Sequence, residues 1–275
     1  MKLFFLVLIA TLVCGRVTAT NYYFSSTKGN DSANGKSKST PWRSLKKIAE
    51  ATDLNPGDSI LLERGGVFNG QLKITYSNIY VGAYGSGAKP VINGSVELSQ
   101  WISAGKNLWK ASCTECSHEP GNLFIDGKFQ PLGRYPNKGY LFSSGSSKSK
   151  TSLTDTTLRF SNGYWNDGEL VVKSSRWTLD KLFIKDFSKR TFSLSIPSSY
   201  EVQNGFGYFI QKHISTLDKS GEWFFNPATQ EIFIFLNAGI NPNDHKIEVS
   251  INETGLVSQN LHDIIIENLS FTHHI

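Results

Sequence analysis

Short apolar runs separated by glycines dominate the pattern of the chain after Ser59. The runs span residues 60–62, 71–74, 79–83 and 91–92. The segments DSIL (58–61) and SNIY (77–80) lie about twenty residues apart, which is the repeat length of a β-solenoid coil. A β-sandwich also has short strands with turns between them. Because the runs are very short and no Asn-Gly hairpin joins consecutive ones, the pattern favours a parallel solenoid.

A capping strand and one short amphipathic helix are predicted before these runs. Residues 22–24 form an apolar strand, while Thr40 suits a helix cap and Pro41 the first helical position. The turn residues 55–58 (NPGD) end this element. One face of the predicted helix is apolar and should pack on a flat surface. This helical face is formed by Trp42, Leu45, Ile48 and Ala49.

Residues 95–245 carry a different pattern, rich in aromatic residues and hairpin signals. LFI (123–125) meets KF (128–129) across Asp126-Gly127, a favoured two-residue hairpin turn. WFF (223–225) and the alternating EIFIF (231–235) flank Asn226-Pro227, a specific turn signal. This stretch therefore predicts an inserted antiparallel β domain. Its aromatic residues are mostly core, and exposed ones could form a wall on which sugars stack.

The solenoid pattern resumes in residues 246–275. Two apolar strands are predicted at 246–251 and 263–271, and Ile247 and Ile265 lie about one coil apart. A stable solenoid needs at least about three coils and a capped end, whereas residues 269–275 would form an uncapped coil with an open strand edge. We expect the full product to continue past Ile275. A shortened gene product, or one completed by a partner, is the alternative.

The first nineteen residues predict a secretory signal peptide. Lys2 precedes an almost wholly apolar run, residues 3–13, and a stretch of small residues ends at Ala19, where we expect cleavage. The run is too short to span a bilayer, and no later run is long and apolar enough. A buried N-terminal helix is the alternative. We expect a secreted, periplasmic or cell-surface protein without a membrane span.

The charges and the cysteines of the chain limit the kinds of partner and metal site that can be expected. The chain has 28 Lys and Arg, 23 Asp and Glu and a formal net charge of +5, and Lys2 and Arg16 belong to the signal peptide. The remaining charges are interspersed, whereas a nucleic-acid binder clusters its bases, so no nucleic-acid partner is predicted. Cys113 and Cys116 have no second cysteine pair beside them to complete a zinc site. In an exported protein a local disulfide, or two free thiols, is expected, and no metal site.

Several motifs resemble those of exported pectate-lyase-like β-helix proteins. Residues 21–26 (NYYFSS), 41–45 (PWRSL), 56–60 (PGDSI) and 64–68 (RGGVF) resemble the N-terminal cap of that group, and 82–92 (GAYGSGAKPVI) its first full coil. Residues 123–128 (LFIDGK), 133–137 (GRYPN) and 221–225 (GEWFF) resemble β-helix glycoside hydrolases that insert a β domain early in the solenoid. The match touches most of the chain after the signal, and its motifs concern the scaffold.

The resemblance implies an all-β protein built on a right-handed parallel β-helix. The predicted order is a signal peptide (1–19), an N-terminal cap with one short α-helix and the first coils (20–94), the inserted antiparallel β domain (95–245) and a resumed, incomplete β-helix (246–275). It also implies acid catalysis by paired carboxylates on later coils, at positions that would lie beyond Ile275.

Five residues are candidates for chemistry within the chain. Asp263 and Glu267 are the acids best placed for a catalytic pair, although surface acids in turns are common. His273 and His274 could bind sugar hydroxyls or share protons; alternatively, one lies on the surface and the other in a coil corner. Arg134 could bind the carboxylate of an acidic sugar, or form an ion pair within the insertion.

Two classes of function fit these observations. The first is a polysaccharide-degrading enzyme, a glycoside hydrolase acting on a polysaccharide or oligosaccharide without a cofactor; a polysaccharide lyase, which could need Ca²⁺, is the neighbouring enzyme class. The second is a non-catalytic β-helix protein that binds glycans or acts as an adhesin, because a fold does not determine function. We expect the isolated chain to be inactive. The sequence does not indicate the oligomeric state.

Overall fold

The computed structural model describes residues 19–145 and 148–275, and these residues are nearly all β-structure. The predicted signal peptide lies outside the described residues except for Ala19. Among the described residues, α1 (Lys46–Glu50) is the single α-helix, and two 3-10 turns occur at Ile214–Thr216 and Pro242–Asp244. No helix in the described ranges has the length and apolar character needed to cross a membrane.

The strands, numbered in chain order, are β1 (Asn21–Phe24), β2 (Ser59–Glu63), β3 (Val67–Asn69), β4 (Leu72–Lys73), β5 (Ile79–Tyr84), β6 (Val91–Asn93), β7 (Ser95–Leu98), β8 (Ile102–Gly105), β9 (Leu108–Ser112), β10 (Leu123–Ile125), β11 (Lys128–Gln130), β12 (Arg134–Tyr135), β13 (Leu141–Phe142), β14 (Ser152–Thr154), β15 (Glu169–Lys173), β16 (Leu179–Ser188), β17 (Thr191–Leu194), β18 (Gly207–Gln211), β19 (Trp223–Asn226), β20 (Glu231–Phe235), β21 (Ile247–Ser250), β22 (Leu256–Val257), β23 (Ile264–Ile266) and β24 (Ser270–Thr272).

The described residues form two compact units. The first comprises the described part of Met1–Ile92 together with Leu256–Phe271, and the second comprises Asn93–Gly255 and Thr272–Ile275. The predicted domain boundaries at residues 94 and 245 remain predictions.

The first unit contains parallel strands. β1, β2, β5 and β23 form one four-stranded sheet with every pairing parallel, and β4 pairs in parallel with β22. The register stacks Tyr22, Ile60, Val81 and Ile266 in one row across the four strands. β3, β6 and β24 form a further sheet. The pairing of Ile60 with Val81 agrees with the recurrence of about twenty residues in the sequence pattern.

The helix of the first unit begins later than the pattern predicts. Its N-cap is Leu45, which forms no side-chain cap, so the prediction that Thr40 caps the helix is wrong. The backbone N–H of Trp42 donates to Tyr23 and its carbonyl accepts from Ser25, which holds Trp42 in an extended bridge beside β1. These tertiary hydrogen bonds remove residues 41–42 from the helix, although Leu45 and Ile48 are buried as expected.

The second unit is built from antiparallel sheets. One sheet has the order β11-β10-β21-β7, a second β19-β20-β9-β8, and a larger one β12-β18-β15-β16-β17-β14, with β13 also paired to β18. Both predicted hairpins are confirmed: β10 with β11, and β19 with β20. Asp126 and Gly127 have φ of 49° and 73°, as a two-residue turn with two left-handed residues requires.

Strand β21 does not continue the parallel sheet. Ile247 was expected to lie one coil from Ile265, but it pairs antiparallel with Ile125 and Leu98, whereas Ile265 pairs in parallel with Tyr80. The chain therefore returns to parallel pairing at β22 and not at residue 246. All four residues of β21 are buried. The strand alternates apolar Ile247 and Val249 with polar Glu248 and Ser250, and such alternation is more typical of an antiparallel than of a parallel strand.

Candidate functional site

The sheet of β7, β10, β11 and β21 separates an apolar core from a polar face. Ile247 and Val249 of β21 pack into the core with Leu98 and Leu123. Because side chains alternate along a strand, Glu248 projects to the opposite face. Glu248 is only 4% exposed, and a carboxylate buried to this extent needs charged or hydrogen-bonding partners.

Three side chains supply those partners. Lys246 Nζ lies 2.9 Å from Glu248 Oε2, while Ser95 Oγ donates to Oε1 at 2.9 Å and Asn93 Nδ2 donates to the same oxygen at 3.3 Å. Burial by itself raises the pKa of Glu248, but the hydrogen bonds from Lys246 and Ser95 outweigh it and leave the pKa below its ordinary value. Glu248 is therefore an ionised carboxylate whose oxygens are already occupied.

His273 completes this face, and we name Asn93, Ser95, Phe124, Lys246, Glu248 and His273 the Glu248 cluster. The His273 ring stacks on Phe124 with a centroid distance of 3.9 Å and an interplanar angle of 21°. Its Nδ1 lies 3.5 Å from Ser95 Oγ and 3.9 Å from Glu248 Oε2.

The geometry of His273 differs from a nucleophilic triad. In a triad the carboxylate contacts one ring nitrogen and the hydroxyl contacts the other. Here Ser95 and Glu248 both face Nδ1, so the imidazole cannot relay a proton between them. Nε2 makes no hydrogen bond within the described part of the chain, and the half-buried His273 ring can offer this atom to a ligand hydroxyl as donor or acceptor, depending on its tautomer.

His274 has a separate, structural setting. A Cβ added to Gly94 would lie 2.5 Å from His274 Cδ2, so the imidazole occupies the space that the missing side chain leaves. The His274 carbonyl accepts a hydrogen bond from Asn122 Nδ2 at 3.4 Å. The predicted pair His273 and His274 is thus divided: His273 joins the Glu248 cluster, and His274 packs against the backbone at Gly94.

The two acids proposed for catalysis have separate partners in the first unit. The Asp263 carboxylate lies 2.9 Å from His262 Nδ1, and Glu267 accepts a hydrogen bond from Tyr80 at 2.8 Å. Both acids are exposed. The structure gives each an individual hydrogen bond, and it shows no contact that would make them work as a pair.

Arg134 holds a turn in the second unit. Its Nε donates to the Pro136 carbonyl at 3.0 Å and its Nη2 to Gly139 at 2.6 Å, while the guanidinium lies 3.8 Å from the Phe209 ring centroid. The alternative prediction for Arg134 is an ion pair within the insertion. Its contacts are instead with two backbone carbonyls and an aromatic ring. The two hydrogen bonds engage two of the five N–H donors of the guanidinium.

Cys113 and Cys116 are joined by a disulfide and are buried in the core that contains Trp223. Within residues 19–145 and 148–275, no group of three or more His, Cys, Asp or Glu residues is arranged to hold a metal ion.

Sequence patterns miss most of the Glu248 cluster. The charged Glu248 between two apolar residues of a strand is a local signal of a polar sheet face. Ser95, Phe124 and His273 carry no signal that links them to it, because Ser95 lies 153 positions before Glu248 and 178 before His273. Only the pairing of β7 and β10 with β21 places them together.

No protein-family model matches the chain. A segment of 95 residues, 30% of the chain, is 45% identical to a lacto-N-biosidase of Bifidobacterium longum subsp. longum and covers 6% of that protein. The chain thus spans only a small part of this curated relative.

Solved structures extend the similarity across most of the chain. A protein described as a glycoside hydrolase superposes with a TM-score of 0.68 and 15% identity over 93% of this chain and 51% of its own. XylC in complex with xylose superposes with a TM-score of 0.52 and 16% identity over 92% of this chain and 35% of its own. At these identities the superpositions show a shared fold alone. The chain spans about half the length of the first of these structures.

Proposed function

We propose that the chain is part of an exported carbohydrate-active protein, a glycoside hydrolase that acts on a polysaccharide or oligosaccharide. The observation that carries the proposal is the segment 45% identical to a lacto-N-biosidase. The fold shared with a protein described as a glycoside hydrolase supports it over 93% of the chain. Export, to the outside, the periplasm or the cell surface, is supported by the signal-peptide pattern of residues 1–19.

The proposal includes a right-handed parallel β-helix in the first unit. The parallel row of Tyr22, Ile60, Val81 and Ile266 supports it, because neighbouring coils of a solenoid place their apolar residues in such rows. Parallel strands joined by crossovers in one sheet are right-handed in nearly all proteins. The antiparallel sheets of the second unit are then an insertion between coils.

The role proposed for the Glu248 cluster is to bind sugar hydroxyls through His273. Glu248 is buried and its oxygens are occupied by Lys246, Ser95 and Asn93, so it suits orientation of His273 better than attack on a sugar. Glu97, which lies opposite Glu248 on the neighbouring strand, is exposed. The buried Glu248 is not accessible to serve with it as the second carboxylate of a pair. Glycoside hydrolysis requires two carboxylates that both reach the scissile bond.

Sugar binding by the Glu248 cluster is tested on residues 20–275. We expect His273→Ala to weaken oligosaccharide binding about ten-fold, since one charge-assisted or neutral hydrogen bond and the ring contact are lost. Binding is measured by isothermal titration calorimetry with lactose, xylobiose and N,N′-diacetylchitobiose. His262→Ala, which removes an exposed histidine of the first unit, is the matched control. Equal affinities for the two variants would contradict the role of His273.

The same chain tests where catalysis lies. We expect residues 20–275 to release no reducing sugar from plant or algal glycans, because Asp263 and Glu267, the acids predicted for a catalytic pair, each form a separate hydrogen bond. Reducing ends are quantified after prolonged incubation. Robust turnover that disappears in Asp263→Asn or His273→Ala would overturn this assignment and make these residues catalytic.

A non-catalytic glycan-binding protein is the second candidate. The observation that favours it is the exposed ring of Trp177 in the second unit, since solvent-exposed aromatic residues beside polar groups suit sugar binding and need no catalytic acid.

A further inference from the structure

A cleft in the second unit exposes two aromatic rings to solvent. Trp177 is 77% exposed and Tyr200 is 45% exposed. Their ring centroids lie 6.0 Å apart with an interplanar angle of 84°, so the two rings form a corner. Exposed aromatic rings of this size lower solubility and contribute no folding stability. When such rings also line a concave surface, they indicate a binding site.

Hydrogen bonds fix the Trp177 side of the corner. Trp177 lies between β15 and β16, and its backbone N–H donates to Ser175 Oγ at 3.3 Å. Asp180, in β16, accepts hydrogen bonds from the Ser199 N–H at 2.9 Å and from Ser199 Oγ at 2.7 Å. These bonds join the Trp177 loop to the segment that carries Tyr200.

Hydrogen bonds also fix the Tyr200 side. Ser198 Oγ donates to the Tyr200 carbonyl at 2.6 Å, and the Ser198 N–H donates to the Lys150 carbonyl at 2.7 Å. Lys150 Nζ donates to the Ser199 carbonyl at 3.1 Å. The backbone that carries the two rings is therefore held in place before any ligand arrives, which lowers the entropy that binding must overcome.

The ionised state of Asp180 maintains this connection. Burial raises the pKa of Asp180, but hydrogen bonds from neighbouring serines outweigh it and lower the pKa below the ordinary value. The carboxylate therefore stays an acceptor for Ser199 at neutral pH.

The cleft has a volume of about 540 Å³, within the range of small-molecule sites. Its lining combines polar side chains with the apolar faces of Trp177, Tyr200 and Phe206. Ser174 and Ser175 form its buried floor.

Arg176, Glu201 and Gln203 stand around the cleft and are exposed. A guanidinium, a carboxylate and an amide together provide donors and acceptors, and Lys150, which also lines the cleft, adds a second positive charge.

We propose that Trp177 and Tyr200 bind one neutral pyranose ring of an oligosaccharide. A pyranose presents an apolar C–H face that suits the Trp177 indole, and hydroxyls around its edge that suit Arg176, Glu201 and Gln203. Because the lining carries charged side chains of both signs, sugar hydroxyls, which both donate and accept, match it better than a uronate carboxylate or a phosphate, which only accepts. The corner shape favours a single ring, because Tyr200 closes one side of the Trp177 face. This site rests on the proposed carbohydrate function and adds a position separate from His273.

The test uses residues 20–275 and three neutral disaccharides: lactose, xylobiose and N,N′-diacetylchitobiose. Saturation-transfer NMR and isothermal titration calorimetry measure binding to the wild-type chain, Trp177→Ala, Tyr200→Ala and Tyr200→Phe. Phe142→Ala is the matched control, since Phe142 is a 58% exposed aromatic residue of the same unit that does not line the cleft. Thermal melts check that each variant folds, which we expect because these side chains are exposed.

We expect Trp177→Ala and Tyr200→Ala to weaken the affinity for at least one disaccharide about ten-fold, Tyr200→Phe to weaken it less, and Phe142→Ala to leave it unchanged. Trp177→Ala should also remove the saturation transfer to the sugar C–H protons.

Three results would overturn the proposal. Disaccharide binding that survives both alanine variants and is lost in His273→Ala would place the sugar site at the Glu248 cluster and leave the proposed function intact. If the wild-type chain binds none of the three sugars, the cleft is not a neutral-sugar site. The proposed function of the whole protein is tested separately, by glycan hydrolysis assays. Self-association that Trp177→Ala abolishes, seen by sedimentation velocity without sugar binding, would assign the cleft to a second copy of the chain.

Discussion

At the scale of single residues, Glu248 shows how a buried charge is retained. The carboxylate is removed from water but receives an ammonium, a hydroxyl and an amide as partners. Such a group contributes little net stability, yet removal of it leaves the buried partners unsatisfied. The same arrangement holds His273 between Ser95 and Phe124.

We predict that Glu248→Ala lowers the free energy of unfolding by about 1–3 kcal/mol. Asn93 and Ser95 would lose the acceptor that Glu248 provides, although Ser95 Oγ can still donate to Asn93 Oδ1 at 3.0 Å. Lys246 is 56% exposed on its side chain and can turn to water, which limits the cost of its lost ion pair. Urea denaturation measures the change. Glu97→Ala, at the exposed cross-strand neighbour, is the control and should change stability by less than about 0.5 kcal/mol. Equal effects would show that burial of Glu248 has no energetic consequence.

Gly94 offers a second residue-scale prediction. Any Cβ at this position would lie 2.5 Å from the His274 ring and 2.8 Å from the His273 carbonyl oxygen, so Gly94→Ala forces both the imidazole and the backbone to shift and should cost about 1–3 kcal/mol. The thermal midpoint measures this cost. Gly168→Ala is the matched control, because its nearest new contact would be 3.2 Å away. A Gly94→Ala protein as stable as the control would mean that His274 moves freely.

At the scale of elements, hairpins and helix ends follow different rules. The β10–β11 hairpin needs only local information, because Asp126 and Gly127 adopt the left-handed backbone of the turn by themselves. The start of α1 depends on distant atoms. Asp31 accepts hydrogen bonds from the Arg43 N–H at 2.7 Å and the Ser44 N–H at 3.0 Å, which fixes the chain before the helix.

We predict that Gly127→Ala destabilises the second unit by about 1–2 kcal/mol, since alanine is strained at a φ of 73°. The urea midpoint of the purified chain is the measurement. Lys128→Ala, on the adjacent exposed position with an ordinary strand backbone, is the control and should have a much smaller effect. Unchanged stability in Gly127→Ala would indicate that the turn can adopt another form.

At the scale of the whole molecule, carboxylates with lowered pKa values make stability depend on pH. Burial raises the pKa of Asp31, Asp155, Asp180 and Glu248, yet hydrogen bonds outweigh it in each case and leave the pKa lowered. Asp155 is buried and accepts a hydrogen bond from Tyr208 at 2.6 Å, and burial together with Asp155 raises the pKa of that phenol.

We predict that stability declines gently below about pH 6.5, because burial lowers the pKa of His213 and the unfolded chain binds that proton first, and that it falls more steeply below about pH 4. A lowered folded-state pKa contributes stability above the unfolded value, about 3.9 for Asp, and this stability is lost as pH falls through the folded pKa. Thermal midpoints measured from pH 7 to pH 2 test the trend. Asp155→Asn should flatten the acid limb, whereas Asp244→Asn, at an exposed loop acid, should leave its slope unchanged. An acid limb that is identical in wild type and Asp155→Asn would exclude Asp155 from the effect.

The sequence alone determined the features that depend on neighbouring residues. The strand at residues 22–24 and both hairpins follow from apolar periodicity and turn residues. The repeat spacing indicated a recurrence of about twenty residues, but the register that pairs Ile60 with Val81 is seen only in the structure. Asp263 and Glu267, which the sequence suggested for catalysis, each form a separate hydrogen bond. The position of an acid along the chain does not specify which side chains it contacts.

Tertiary structure alone decided the neighbours of β21, the late start of α1 and the composition of the Glu248 cluster. The alternation of apolar and polar residues in β21 shows which side chains share a face, but it does not show that β7 and β10 are the strands beside it. Trp42 leaves the helix because Tyr23 and Ser25 bind its backbone. Ser95 and His273 meet Glu248 across long stretches of chain, and contacts between distant segments leave no local pattern in a single sequence.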